Sequence, residues 1–252
     1  MKNGSRDAAD TQIEGRNNIK EAFRAQMTID KLFVQDGLKD APVRAIVSMA
    51  RKAGTIVNFV EKDVLEGMTK TGAHQGVIAY ASAVTYASVE EILSEAEAKG
   101  EDPFILILDE IEDPHNLGAC IRSANVAGAH GVIIPKRHAA TVNGTAAKAS
   151  AGAVHHTKVA RVANITQTIE ELKAKGIWII CADMGGKPMY ELDFKGPVAL
   201  VIGNEGSGVR QLVREHCDFI ASIPVRGEIE SLNASVAAGI LLYEVVRARC
   251  AG

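Results

Sequence analysis

The stretch Val198-Ala-Leu-Val-Ile-Gly-Asn-Glu-Gly-Ser-Gly208 joins five consecutive apolar residues to a turn that contains three glycines. A continuous apolar run of this length is typical of a parallel strand covered on both faces, because a strand with one wet face alternates apolar and polar residues. Four other apolar runs occur at residues 104–108, 132–134, 177–181 and 219–223. Helical patterns separate the runs and cover residues 117–128, 165–175, 209–215 and 232–249. The alternation predicts a layered α/β domain with a parallel sheet, whose ligand loops lie at the strand ends.

A smaller α/β module precedes this domain. Its predicted strands are residues 31–34, 55–60 and 76–81, and its predicted helix is residues 42–53. After this module, Ser88-Val-Glu-Glu91 has the spacing of a capping box, and Gly100 ends the helix that the box begins. We therefore predict a disordered polar tail at residues 1–12, a small N-terminal domain at 13–82 and a larger C-terminal domain at 83–252.

The composition excludes several classes of protein. The chain has 252 residues, of which 47% are hydrophobic, so a sizeable core is expected. Its 31 acidic and 28 basic residues give a net charge of −3, so any contact with nucleic acid requires a local basic patch. The four cysteines are scattered without a C-x-x-C pair, which disfavours a zinc site and a disulfide framework and predicts a reducing, cytoplasmic setting. No apolar run approaches about 18 residues, so we expect no membrane span.

The first polar loop follows the apolar run at residues 104–108 and leads to Asn116 and Arg122. Asn116 is predicted as the N-cap of the next helix, because its side chain can accept a hydrogen bond from an unpaired backbone amide. Arg122 offers a planar fork that suits phosphate. A helix cap followed by an ordinary surface arginine explains the segment equally well. The acidic run at residues 109–113 is more typical of a solvated turn than of a metal site, so no metal is predicted.

Two more polar loops follow apolar runs in the C-terminal half. Glu205 stands at the apex of the glycine turn, where a plain turn requires no acid. The G-x-x-G-x-G spacing of that turn differs from the dinucleotide fingerprint, which disfavours a nucleotide-dependent oxidoreductase, and no P-loop sequence follows. In the last loop, Ser231 is predicted as a helix cap and Asn233 falls in the first turn. Packing of that helix on the sheet does not explain why Leu232 and Asn233 occupy their positions.

Taken together, the three loops resemble the signature motifs of the SPOUT ribose methyltransferases. The matching segments are Asn116-x-Gly118-x-x-x-Arg122, Gly203-Asn-Glu-Gly-x-Gly208, and Ile223-Pro-x-x-Gly227 followed by Ser231-Leu-Asn-x-Ser-Val236. The resemblance spans roughly residues 104–249. The N-terminal module is similar to the substrate-binding domain, with a ribosomal-protein-like fold, of the bacterial 23S ribosomal RNA guanosine 2′-O-methyltransferases. Glu14-Gly-Arg-Asn17 and His74-Gln-Gly-Val-Ile78 carry that subgroup similarity.

The resemblance implies a deep trefoil knot in the C-terminal domain and S-adenosylmethionine as the cofactor. It implies that backbone groups at Gly203, Ile223 and Leu232 hold the cofactor, while Asn233 braces the loop. The positions that match the polar active-site residues of the family are Asn116, Arg122, Glu205 and Ser231. The resemblance also implies a homodimer in which each active site borrows residues from the partner chain.

The same resemblance predicts methylation of a guanosine ribose in 23S ribosomal RNA. The family proposal makes the arginine a base, but arginine stays protonated at neutral pH, so we expect Arg122 to grip a phosphate and to stabilise charge on the ribose oxygen. Transfer RNA or a ribosomal RNA adenosine as the target, and an RNA-binding protein without turnover, are the alternatives. Six basic residues of the N-terminal module form either a phosphate-binding face or scattered solubilising charges: Arg16, Arg24, Lys31, Arg44, Arg51 and Lys52.

Overall fold

The computed structural model of the protein describes residues 12–228 and 231–250. The chain divides into two compact units at the junction between Thr85 and Tyr86, close to the junction predicted after residue 82. The predicted tail lies outside the described residues, except for Gln12, which begins the first strand. None of the helices in the described ranges is long and apolar enough to cross a membrane.

Within residues 12–85, the first unit is a four-stranded mixed sheet with three helices. Its elements are β1 (Gln12–Glu14), α1 (Arg16–Arg24), β2 (Ile29–Gln35), α2 (Ala41–Lys52), β3 (Ile56–Val60), α3 (Lys62–Met68) and β4 (Val77–Ala81). The strand order is β1-β4-β2-β3, with β2 and β3 parallel and the other pairs antiparallel. The three predicted strands and the predicted helix are present. The elements β1, α1 and α3 were not predicted. In α1 only Ile19 and Ala22 are buried, and most of its other residues are polar.

Helix α2 illustrates why the predicted helix forms. The Asp40 side chain accepts a hydrogen bond from the backbone amide of Val43 at 3.0 Å, and Pro42 occupies the first turn, where its missing N–H costs nothing. Val43, Ile46 and Ala50 recur at helical spacing and are buried against the sheet. The opposite face of α2 is therefore free to carry polar side chains.

Glu14, at the end of β1, is a buried acid that organises a neighbouring turn. Its carboxylate accepts hydrogen bonds from the backbone amide of Lys70 at 2.6 Å, from the hydroxyl of Thr69 at 2.6 Å, and from the hydroxyl and amide of Thr71. Burial alone would raise the pKa of Glu14, but these hydrogen bonds outweigh it and lower the pKa to about 2. The charged form of Glu14 is thus part of the folded unit.

The second unit is a six-stranded, fully parallel sheet with helices. Its elements are α4 (Val89–Lys99), β5 (Phe104–Leu108), α5 (Pro114–Val126), β6 (Gly131–Pro135), α6 (Gly144–Ala149), β7 (Lys158–Val162), α7 (Ile165–Lys173), β8 (Trp178–Pro188), β9 (Val198–Ile202), α8 (Gln211–Glu215), β10 (Phe219–Ser222) and α9 (Ala234–Cys250). The strand order is β10-β8-β9-β5-β6-β7. The predicted class, a small α/β module followed by a parallel-sheet α/β domain, is confirmed, and the trefoil knot stays a prediction. The capping box of Ser88 and Glu91 is formed as predicted.

The strand pairing brings the ends of β5 and β9 side by side. Leu108 of β5 is in register with Ile202 of β9, and the backbone amide of Asp109 continues the ladder to the Ile202 carbonyl at 2.8 Å. Every residue of these two strands is buried, as expected for central parallel strands. The polar loops that follow β5 and β9 therefore begin next to each other.

The predicted cap of α5 is wrong. The helix begins at Pro114, and its N-cap is Asp113, whose side chain accepts a hydrogen bond from the His115 amide at 2.9 Å. Proline has a backbone angle that suits the first helical position, so the helix starts at Asp113-Pro114 and takes in Asn116 as part of its first turn. The Asn116 side chain is thereby released for other contacts.

The predicted cap of α9 is also wrong. The helix begins at Ala234, and the side-chain oxygen of Asn233 accepts hydrogen bonds from the amides of Ser235 at 3.0 Å and Val236 at 3.3 Å. Asn233 is therefore the cap, because its oxygen reaches two of the unpaired amides of the first turn. Ser231 lies before the helix and is exposed.

Candidate active site

A cavity of about 270 Å³ lies at the carboxyl ends of β9 and β10 and beside the middle of β8. Its lining comes from the middle of β8, just after the apolar run of that strand, from the glycine turn after β9, and from the segment between β10 and α9. The lining residues are Ala182, Asp183, Met184, Ile202, Gly203, Asn204, Glu205, Gly206, Ser207, Gly208, Ala221, Ile223, Val225, Ser231, Leu232, Ala234 and Ala237. Apolar side chains thus share the wall with backbone of a glycine turn and with two carboxylates, which is the usual make-up of a small-molecule site.

The glycine turn after β9 closes tightly on itself. Asn204 and Gly208 exchange both backbone hydrogen bonds, at 3.1 and 2.8 Å. A Cβ on Gly203 would lie 2.2 Å from the backbone nitrogen of Val209, so no larger residue fits there without moving the chain. Gly208 has a φ of 69°, in the left-handed region that favours glycine. Two of the three glycines are therefore required by the shape of the turn.

An ion pair fastens this turn to the end of β5. The carboxylate of Asp109 is fully buried and accepts hydrogen bonds from the backbone amide of Arg210 at 3.0 Å, from its Nε at 3.0 Å and from its Nη2 at 2.6 Å. The hydrogen bond to Asp109 raises the pKa of Arg210. On the other side of the turn, the Asn204 side chain donates to the Glu110 carbonyl at 3.2 Å. The turn is therefore anchored on both sides.

A hydrogen-bonded network joins one polar side chain from each of the three loops. The side-chain amide of Asn116 donates to the carboxylate of Glu205. The side-chain amide of Asn233 donates to the Asn116 oxygen at 3.0 Å and to the Glu205 carboxylate at 3.3 Å. The three loops, far apart in sequence, thus converge at the rim of the cavity. The carboxylate fixes the direction of both asparagine amides, because it can only accept hydrogen bonds.

Four other predicted site residues lie in the wall of the cavity. Gly203, Ile223, Leu232 and Ser231 line the cavity, as does Glu205. Their predicted roles in holding the cofactor or the ribose stay predictions.

Arg122 is not brought to the cavity of its own chain. It lies on α5, six residues beyond Asn116, which corresponds to about 9 Å along the helix and about 120° around it. Its side chain is exposed, is not part of the cavity wall, and makes no hydrogen bond or ion pair with any residue in the described ranges. An unpartnered arginine at this position is available to something outside the chain.

Sequence reasoning missed Asp183 and Arg210. Asp183 lines the cavity at the end of an apolar run, and its carboxylate lies 3.6 Å from Nε of Arg214. The signal was present, because a polar residue shortly after an apolar run also marked the other three loops. Arg210 had no comparable signal, since its role depends on the buried Asp109.

The cysteines near the site are held in the neutral thiol form. Burial raises the pKa of Cys120 to about 12, and the negative charge of Glu205 adds to this effect. A hydrogen bond with Cys217, together with burial, raises the pKa of Cys181. A thiolate nucleophile at Cys120 or Cys181 is therefore disfavoured. No three or more acidic, histidine or cysteine side chains are grouped to hold a metal ion within residues 12–228 and 231–250.

Comparison with known families gives two matches that together span most of the chain. The model of the SpoU rRNA Methylase family matches residues 103–243. A model described as RNA 2′-O ribose methyltransferase substrate binding matches residues 12–87.

Similar proteins were found among curated sequences. YacO of Bacillus subtilis strain 168, a protein assigned to the TrmH family of tRNA/rRNA methyltransferases, is 44% identical over 238 residues, which cover 94% of this chain and 95% of YacO. The 23S rRNA (guanosine-2′-O-)-methyltransferase RlmB of Ralstonia nicotianae is 42% identical over 224 residues, which cover 88% of this chain and 89% of RlmB.

Similar solved structures cover nearly the whole chain. The SpoU methyltransferase AviRb of Streptomyces viridochromogenes, in complex with the cofactor AdoMet, has a TM-score of 0.61 at 27% identity and covers 96% of this chain and 91% of its own. An AdoMet-bound rRNA methyltransferase of Sinorhizobium meliloti has a TM-score of 0.59 at 25% identity and covers 94% of this chain and 87% of its own.

Proposed function

The chain belongs to the SpoU rRNA methylase family of S-adenosylmethionine-dependent RNA 2′-O-methyltransferases, and on that basis we propose that it methylates the ribose 2′-hydroxyl of a guanosine in 23S ribosomal RNA. The RlmB relative, which is named for this reaction, supports the target. YacO is assigned more broadly to tRNA and rRNA, so the same chemistry on transfer RNA is the second candidate. Either RNA agrees with the predicted cytoplasmic setting.

The cavity between the ends of β9 and β10 and the middle of β8 fits S-adenosylmethionine in its chemistry. The molecule combines an adenosine with a positively charged sulfur. Ile223, Val225 and Leu232 offer apolar surface for the base, and the carboxylates of Asp183 and Glu205 offer negative charge. We assign the holding of the cofactor to the backbone at Gly203, Ile223 and Leu232, with Asn233 as the brace of the last loop. When bound, the cofactor supplies an activated methyl group on that sulfur.

The observation that carries the proposal is the network of Asn116, Glu205 and Asn233 at the rim of the cavity. Methyl transfer to a hydroxyl depends mainly on alignment of the reacting atoms, so a network with fixed donor directions is well suited to orient a ribose. Glu205 receives two amide donors, which keeps its carboxylate in one place. Ser231 lies on the same wall of the cavity and adds a hydroxyl group.

We assign Arg122 to the active site of a partner chain in a homodimer. Arg122 is exposed and unpartnered within the described residues, and it lies outside the cavity of its own chain. Large apolar side chains are exposed on α5 and α9, namely Val126 (64%), Val236 (49%) and Tyr243 (51%). These two helices contact each other near Ser123 and Gly239. A symmetric contact that covers this surface would bring the arginine of one protomer towards the other.

At the partner's site, Arg122 would grip the phosphate next to the target ribose and stabilise charge on the attacking oxygen. This role needs no deprotonation of the guanidinium. The Arg122→Ala variant should therefore fold normally and bind S-adenosylmethionine, while methyl transfer is abolished. Retained turnover in this variant would remove Arg122 from the mechanism.

The decisive experiment maps 2′-O-methylated nucleotides by mass spectrometry after incubation with 23S ribosomal RNA and, separately, transfer RNA. Methylation of one guanosine in 23S RNA supports the proposal. Methylation of transfer RNA alone would replace it with the second candidate, and an absence of both products together with absent cofactor binding in calorimetry would refute the chemistry.

A mixing experiment tests whether Arg122 acts across the dimer. Arg122→Ala and Glu205→Ala homodimers are combined and allowed to exchange chains. If the arginine serves the partner's cavity, each mixed dimer has one intact site, so random pairing restores about a quarter of the wild-type sites. If Arg122 acts in its own chain, every site carries one defect and no activity above the sum of the parents appears.

A further inference from the structure

We propose that a basic groove on the first unit binds a single-stranded segment of the RNA substrate, with phosphates on the cations of α2 and a base stacked on Phe59. The groove has a volume of about 550 Å³ and lies between α2, the turn after β2, and β3. Its charged and aromatic lining consists of Asp36, Lys39, Arg44, Arg51, Lys52 and Phe59. The inference rests on the proposed function for the nature of the ligand.

The cations of the groove are available to a ligand. Lys39, Arg44, Arg51 and Lys52 are exposed, and none of them forms an ion pair with an acid in the described part of the chain. Arg44 and Arg51 are seven residues apart on one helix, so they share a face and lie about 10 Å apart along it. Such a spacing places them beside successive positions of a polyanion.

The structure separates these residues from the other basic candidates of the unit. Arg16 lies 3.0 Å from the Asp40 carboxylate and also donates to the backbone carbonyl of Gln75. Arg24 is paired with Glu21 on the same helix. Both arginines already form ion pairs with acids of the protein, so they add little positive charge to a phosphate-binding site.

Phe59 supplies the aromatic surface. It is 51% exposed and stands on β3, which is the outermost strand on its side of the sheet. A large aromatic side chain on an open edge strand is a liability for aggregation unless it has a partner. A phenylalanine face beside several cations is the arrangement with which proteins hold single-stranded nucleic acid, because every base can stack on it.

The charge balance of the groove favours a polyanion. Asp36 is its one carboxylate, and that side chain also accepts a hydrogen bond from the Gly37 amide at 2.8 Å. Four cations therefore face one acid in a chain whose net charge is −3. An acidic peptide would satisfy the charges too, but it offers a ring for Phe59 only where it carries an aromatic residue, whereas every nucleotide offers a base.

The test measures binding of the full-length protein to a fluorescent 12-nucleotide single-stranded RNA as a function of salt. The double variant Arg44→Ala/Arg51→Ala should weaken binding and should reduce the slope of log K against log salt by about 1.4, since each phosphate contact on a single strand contributes about 0.7. Arg24→Ala is the matched control, because it also removes an arginine from the last turn of a helix in the same unit. It should leave affinity and slope unchanged.

Two variants of Phe59 test the stacking. Phe59→Leu keeps an apolar side chain on the strand and should lower affinity by roughly five- to 150-fold, the range for one stacked base. Phe59→Trp keeps an aromatic face and should retain binding. Equal affinities for the leucine, tryptophan and wild-type proteins would overturn the stacking role.

The outcomes separate this inference from the proposed function. Loss of RNA binding in the groove variants, with an unchanged affinity for S-adenosylmethionine, supports the groove even if no ribosomal RNA is methylated. In a protein that methylates 23S RNA, the groove variants should raise KM and leave kcat unchanged. Wild-type RNA affinity in the groove variants, or binding of polyglutamate in preference to the RNA, would overturn the inference.

Discussion

Removal of the Arg210 side chain should destabilise the C-terminal unit, because the carboxylate of Asp109 is fully buried. In Arg210→Ala the backbone hydrogen bond to Asp109 remains, but the bonds from Nε at 3.0 Å and Nη2 at 2.6 Å are lost. Deleting one partner of a buried ion pair costs about 3–5 kcal/mol. The Arg210 side chain is 44% exposed, so water can reach part of the vacated space, and we expect a loss of about 2–3 kcal/mol.

Urea denaturation of a double-mutant cycle tests this magnitude. Asp109→Asn removes the buried charge while keeping the shape, so the double variant with Arg210→Ala should be less destabilised than the sum of the single variants by about 1–3 kcal/mol. Arg210→Lys keeps the charge without the planar fork, so its free energy of unfolding should lie between those of the wild type and Arg210→Ala. The variants should also bind S-adenosylmethionine more weakly, because the glycine turn loses one of its two anchors. A loss under about 0.5 kcal/mol in Arg210→Ala, or strict additivity in the cycle, would refute the reasoning.

Three further predictions concern single residues. Glu205→Gln should lower methyl transfer about tenfold or more, as one lost charged hydrogen bond costs at least about 1.5 kcal/mol, and it should also weaken cofactor binding in calorimetry because the cavity loses one of its two carboxylates; unchanged turnover would count against the network. Gly203→Ala should abolish cofactor binding, whereas the control Gly206→Ala, whose Cβ would meet nothing closer than 3.5 Å, should bind normally. Because hydrogen bonds hold the pKa of Glu14 near 2, against an ordinary value of 4.5, its stabilisation is complete above pH 4.5 and is lost as the pH falls towards 2. In Glu14→Gln the free energy of unfolding should vary less with pH over that range. The same pH dependence of unfolding in the variant and the wild type would contradict the account.

The central strands were the part of the fold that the sequence predicted best. The apolar runs at residues 104–108 and 198–202 coincide with β5 and β9, because a strand buried on both faces leaves no room for polar residues. The edge strand β7 was missed, since Lys158 and Arg161 interrupt its apolar pattern. Strand β8 extends beyond its apolar run to Pro188. Near this end the backbone of Ile220 packs so closely on Gly186 that a Cβ there would lie 2.4 Å from the Ile220 carbonyl oxygen.

The sequence predicted which loops form the candidate site, but it did not predict the contacts between their residues. Polar residues after buried strands mark the loops, and parallel strands bring those loops to one edge of the sheet. The ion pair of Asp109 and Arg210 spans about a hundred residues and depends on strand register, which composition and spacing do not encode. The position of Arg122 outside its own cavity likewise depends on the phase of α5, which begins three residues earlier than its apolar pattern indicates.

The two wrong caps bear on how the site is built. Asparagine is favoured at a helix start because its oxygen accepts from free amides, but the same side chain also carries two donors that a cap leaves unused. Asn233 uses both ends, since its oxygen caps α9 while its amide donates to Asn116 and Glu205. Asn116 has no cap to make, because Asp113 already serves α5, so both of its polar atoms enter the network. Asn233 therefore links the start of α9 to the Glu205 carboxylate. Asn233→Asp keeps the cap and removes the donors, so it should disturb the Glu205 carboxylate and leave the start of α9 unchanged.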